Sequence, residues 1–68
     1  MPYATNEELP APVRHYLPLH AQEIYREAFN HAFDTHRDEA RAHRIAWGAV
    51  QRMYEKINGQ WVSRDRDW

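Results

Sequence analysis

From His20 to Phe33 the chain carries apolar and polar side chains with a helical period. A step of ~100° per residue puts Ala21, Ile24, Tyr25, Ala28, Phe29, Ala32 and Phe33 on one side of the wheel. Gln22, Glu23, Arg26, Glu27, Asn30, His31 and Asp34 fill the rest, with Asn30 at the centre of the polar face. A helix patterned in this way must bury its apolar side, and its polar side reads as solvated. The expected helix runs from Leu19 to His36. Glu23 with Arg26 and Glu27 with His31 are same-face pairs, each worth about 0.2–0.5 kcal/mol.

The pattern resumes after a short link at Thr35–Asp38, where Asp38 is suited to cap a third helix. Two helices joined so briefly favour an antiparallel hairpin. The third helix is expected over Glu39–Ile57. Its apolar positions are Ala42, Ile45, Ala46, Trp47, Ala49, Val50, Met53, Tyr54 and Ile57, and they span an arc of about 200°. That arc is wider than the second helix needs for one neighbour, so contact with the N-terminal segments as well is expected. Asn58-Gly59 ends the helix, since either residue adopts the left-handed conformation.

Ahead of these helices, Thr5-Asn6-Glu7-Glu8 fits a capping box. Leu9-Pro10-Ala11-Pro12 interrupts it, and a proline can open a new short helix reaching about Leu17. Leu9, Val13, Tyr16 and Leu17 would point inward. Gln60–Ser63 is a short strand carrying Trp61 and Val62, to be placed beside Tyr3. The expected architecture is mainly α: three helices with a minor two-stranded β element joining the N- and C-terminal segments. One domain covers 1–62, and 63–68 form a charged, flexible tail. The predicted core is Ile24, Tyr25, Phe29, Phe33, Ile45, Trp47, Val50, Met53 and Tyr54.

Composition narrows the class. A chain of 68 residues makes one domain and buries only about 60% of its unfolded surface. Leu, Ile, Val and Phe supply only 11 residues, but nine aromatics and nine alanines accompany them. The core is therefore rings set against small side chains, an arrangement that buries much area per residue. The absence of cysteine excludes disulfides and thiolate metal sites. With no signal-peptide pattern and no apolar run of ~20 residues, a cytoplasmic chain without membrane insertion is expected. A formal charge of -1 argues against strong nonspecific nucleic-acid binding, though not against a local basic patch.

Candidate chemistry is sparse. Two histidine pairs, His15/His20 and His31/His36, are spaced by five, which sets them ~140° apart on a helix rather than on one face. No metal and no cofactor are expected. With two glycines, one serine and no cysteine, neither a phosphate loop nor a nucleophile is evident, and no enzyme is expected. Arg41, Arg44, Arg52 and Lys56 form a basic ridge on the outer face of the third helix, suited to nucleic-acid phosphates or an acidic partner loop, or else simply solvated. His43 falls inside the apolar arc. It reads as a pH-sensitive group or as a core histidine bonded to the N-terminal backbone. His20 is expected to bond locally near its turn, and Trp47 and Tyr54 to seat the N-terminal segment.

An ordered set of short matches resembles the ChaB family of small bacterial proteins. They are the opening Met-Pro-Tyr, Leu9-Pro10, Val13 and Leu17-Pro18; then His20-Ala21-Gln22, Ile24-Tyr25 and Ala28-Phe29-Asn30; then Ala42-His43, Ile45-Ala46-Trp47 and Ala49-Val50; and last Trp61. Two departures are the short link between the second and third helices and Gly48 where alanine is expected. The resemblance implies a ChaB-like, mainly helical fold and a regulatory role toward a cation/proton antiporter. It supplies no catalytic residues. Two functions follow as expectations: a monomeric, noncatalytic adaptor acting on a protein partner, with a cation antiporter as the named candidate, or a nucleic-acid-binding module using the basic ridge.

Overall fold

The computed structural model describes residues 2–64. A 3-10 turn at Asn6–Glu8 leads into α1 (Ala11–Tyr16), α2 (Leu19–His36) and α3 (Glu39–Met53), followed by strands β1 (Tyr54–Ile57) and β2 (Gln60–Ser63). The three helices and the small sheet match the expected class.

Local chemistry sets each boundary. Pro10 precedes α1 and Pro12 sits in its first turn, where a missing N–H costs no helical bond. α2 ends on Arg37 in the left-handed conformation (φ 55°), whose N–H donates to the Phe33 carbonyl at 2.8 Å. Asp38 Oδ1 then accepts from the amides of Ala40 (3.0 Å) and Arg41 (3.3 Å), capping α3 as its position in sequence implies. The link is thus two residues, and α2 and α3 pack as an antiparallel hairpin.

The C-terminal third departs from expectation. α3 stops at Met53, and Tyr54–Ile57 leaves it as a strand. β1 pairs antiparallel with β2, with Ile57 opposite Gln60 and Tyr54 opposite Ser63. Asn58 (φ 51°) and Gly59 (φ 80°) form the two-residue turn, and two left-handed residues in succession match the twist of a hairpin. Asn-Gly therefore closes a β-hairpin here instead of ending a helix. The two-stranded element does not join the chain's two ends. The Arg64 amide extends this ladder to the Met53 carbonyl at 2.9 Å. Of the expected tail, 65–68 lie outside the described residues.

The buried core comprises Leu9, Val13, Leu17, Ala21, Tyr25, Phe29, Ala32, Ala42, Ala46, Val50 and Tyr54. Ile24, Phe33, Trp47, Trp61 and Tyr3 pack against it, half-buried. Of the predicted core, Ile45 (40% exposed) and Met53 (48%) lie outside it, as does Tyr16 (63%) of the first helix. The reason is geometric. α3 meets one neighbouring helix, and Ala42, Ala46 and Val50, four residues apart, suffice for that contact. Aromatic rings fill the remaining space. Tyr3 lies on Phe29 (centroids 4.8 Å), Tyr25 meets Trp47 edge-on (5.6 Å), and Trp47 meets Trp61 (5.8 Å). Trp47 thereby seats the β-hairpin rather than the N-terminal segment.

Candidate functional site

The polar face of α2 is a docking column for the N-terminal arm. Gln22, Arg26 and Asn30 recur every four residues and so line up along the helix. Asn30 Oδ1 accepts from the Tyr3 amide and Asn30 Nδ2 donates to the Tyr3 carbonyl, both at 2.8 Å. Arg26 Nε donates to Asn6 Oδ1 at 2.8 Å rather than pairing with Glu23. Gln22, itself buried, donates from Nε2 to the carbonyls of Leu17 (2.9 Å) and Arg14 (3.3 Å). It satisfies the last carbonyls of α1, which a helix end otherwise leaves open. The expected solvated face is thus covered along this column, while Glu23, Glu27, His31 and Asp34 remain exposed. Only the four-residue spacing of these three polar residues hints at this in the sequence. Of the expected capping box, Glu8 does reach back, but to the Ala4 amide at 2.8 Å, and the Thr5 side chain makes no cap.

His43 lies at the exposed edge of the aromatic core. Its Nδ1 is hydrogen-bonded to the hydroxyl of the fully buried Tyr25, and its ring stands edge-on to both Tyr25 and Trp47. The bond expected to the N-terminal backbone is therefore made to a phenol. With His43 neutral and its proton on Nε2, Tyr25 donates. With the ring protonated, Nδ1–H donates, and the phenol proton needs another acceptor. Burial, and then the neighbouring Tyr3 phenol, push the Tyr25 pKa up to about 12. Tyr3 is raised as well, by burial and then by the Glu39 carboxylate. His20 reaches farther than its own turn, with Nδ1 3.2 Å from the Tyr54 hydroxyl.

The basic ridge is only partly where the sequence put it. Arg41, Arg44 and Arg52 are exposed on α3, on the side opposite Ala42, Ala46 and Val50 by the helical step. Lys56 is exposed but belongs to β1, opposite Trp61, because α3 ends before it. Among the described residues, Arg41, Arg44 and Arg52 have no side-chain partner, and the ion pairs are Arg37–Asp34 and Arg64–Glu55. A second exposed area is the shallow apolar groove of Ala11, Pro12, His15 and Tyr16 on α1, with Leu19 exposed at the next corner. Among the described residues no three His, Asp or Glu side chains are placed to hold a metal ion, and no helix is long and apolar enough to cross a membrane.

These features define a small helical domain: a braced helical hairpin closed by a β-hairpin, with one open cationic helix face. The sequence profile of the ChaB family matches residues 9–64, and the chain belongs to that family. Proteins of Escherichia coli strain K12 and of Shigella flexneri, each named "Putative cation transport regulator ChaB", are 47% identical to it over 66 aligned positions, covering 82% of this chain and 87% of theirs. The solution structure of a protein bearing the same name superposes with a TM-score of 0.79 at 43% identity, covering 94% of this chain and all of the other.

Proposed function

We propose that this protein is a noncatalytic regulatory domain that acts in the cytosol as a monomer by binding another protein, with a cation/proton antiporter as the partner class. The name shared by its relatives supports the regulatory part. The observation that carries the binding part is the row of Arg41, Arg44 and Arg52, which has no side-chain partner among the described residues. Crosslinking pull-down of the tagged chain, followed by mass spectrometry, tests it. The expected product contains an antiporter, and it disappears when all three arginines are replaced by glutamate. Recovery of no transporter removes the named partner.

The same three arginines support a second reading, nucleic-acid binding. Three phosphate contacts would give a log–log salt slope of about −3. A low-salt titration with duplex DNA that yields no binding eliminates that reading.

A further inference from the structure

We propose that the outer face of α3 is a docking surface for an acidic amphipathic helix of the partner protein. The inference rests on the reading of the chain as a protein-binding regulator and names the chemistry of what it binds. Three observations converge on one face. Arg41, Arg44 and Arg52 extend over about 16 Å of helix, at 1.5 Å per residue, and have no side-chain partner among the described residues. Ile45 lies beside them on the helical step and is 40% exposed, so aliphatic surface lies alongside the charge. Gly48 lies between Arg44 and Arg52 at four-residue steps from each. Glycine inside a helix is less stable than alanine, and a Cβ built on Gly48 meets nothing within 4 Å. The packing of this chain gives no reason for glycine there. A partner backbone brought close to α3 does, because close approach is what a missing side chain permits.

The mixture selects the occupant. Duplex phosphates would meet the arginines but leave Ile45 in water. An anionic membrane attracts each basic residue near its surface only weakly, which is a poor hold for three arginines on a chain of net charge -1. A helix carrying carboxylates beside apolar residues satisfies both the cations and the aliphatic flank, in the manner of helix-in-groove recognition.

The test introduces p-benzoylphenylalanine at Ile45 in the full chain and, separately, at Tyr16 on α1, with irradiation in cells and mapping of the crosslinked segments. The expected Ile45 adduct is a single protein segment with acidic and apolar residues at helical spacing. A synthetic peptide of that segment should shift the amide resonances of Arg41, Ile45, Gly48 and Arg52, and R41E/R44E/R52E should weaken its binding at least tenfold while melting within a few degrees of the native chain. Adducts to nucleic acid or lipid, to a segment lacking acidic residues, or binding indifferent to charge reversal would overturn the proposal. Protein adducts from Tyr16 with none from Ile45 would overturn this face and leave the regulatory reading standing. Protein adducts from neither position would overturn both.

Discussion

α2 and α3 are both long and amphipathic, yet they spend their surfaces in opposite ways. α2 is enclosed on two sides. Its apolar stripe meets α3, and its column of Gln22, Arg26 and Asn30 holds the N-terminal arm. α3 buries Ala42, Ala46 and Val50 and leaves Arg41, Arg44, Ile45 and Arg52 in water. The difference shows that a column of a polar face is covered by the chain's own arm, and that a broad apolar arc need not be buried. α2 holds the fold together, and α3 offers the surface left over.

The sharpest way to break this contrast is Phe29→Ala on α2. Phe29 is 3% exposed and touches the rings of Tyr3, Tyr25 and Phe33. Its loss should cost about 3–5 kcal/mol, which rivals the whole stability of so small a domain. Circular dichroism should show a transition far below the native melting temperature, or none at all. An unchanged melt would show that α2 is not the organising helix.

Asn30→Ala asks whether the polar column matters as much as the apolar stripe. Two hydrogen bonds to the Tyr3 backbone vanish, at about 0.5–1.5 kcal/mol each, so a loss of about 1–3 kcal/mol is expected in urea titration. The Tyr3 amide should also lose its protection from hydrogen exchange while amides in the middle of α3 keep theirs. Equal loss in both places would mean that the arm and the helical hairpin are one cooperative unit.

Tyr25 adds a pH signature to the α2 side. Its pKa is raised to about 12 in the folded chain, against about 10 unfolded. Below pH 10 both states keep the proton and the contribution to stability is whole. Between pH 10 and about 12 the unfolded chain releases its proton first, so stability falls as pH rises. Tyr25→Phe should flatten much of that alkaline loss in urea titrations at stepped pH, leaving the smaller slope due to Tyr3. An identical alkaline slope in the variant would remove Tyr25 as its source.

Helix periodicity made α2 legible to the residue, and Asp38 announced the start of α3 through cap chemistry alone. The end of α3 was not legible, because Met53, Tyr54 and Ile57 continue the helical period while Asn58-Gly59 permits both a helix stop and a hairpin. Pairing with Gln60–Ser63, which a helical wheel does not register, decides between them. Gln22 and Asn30 were missed because a wheel sorts residues by polarity, whereas their roles depend on a distant arm arriving at the same face. The arginines of α3 were legible as exposed, since nothing in the fold competes for them. Lys56 leaves the ridge because the apolar period continues four residues past the end of α3.

Gly48 tests the α3 half of the comparison in the opposite direction. With open space where its Cβ would lie, Gly48→Ala should stabilise the chain by about 0.5–1 kcal/mol, through lower backbone entropy of the unfolded state. Chemical denaturation measures this directly. A destabilised variant would mean that α3 is packed more tightly on its outer side than its exposed residues indicate, and the contrast with α2 would narrow.

The smallest effect is the one that separates the two helices most cleanly. Ile45 and Ile24 are the same residue type at apolar wheel positions of α3 and α2, but Ile24 packs against the core and Ile45 is 40% exposed. Ile45→Ser removes aliphatic surface that already faces water, so its effect on stability should stay within about 0.5 kcal/mol. Ile24→Ser places a hydroxyl against the core and leaves a partial cavity, and should cost several times more. Urea midpoints of the two variants, measured side by side, decide the matter. Equal losses would mean that both flanks of the helical hairpin are structural, whereas a silent Ile45 marks a side chain that the fold itself does not need.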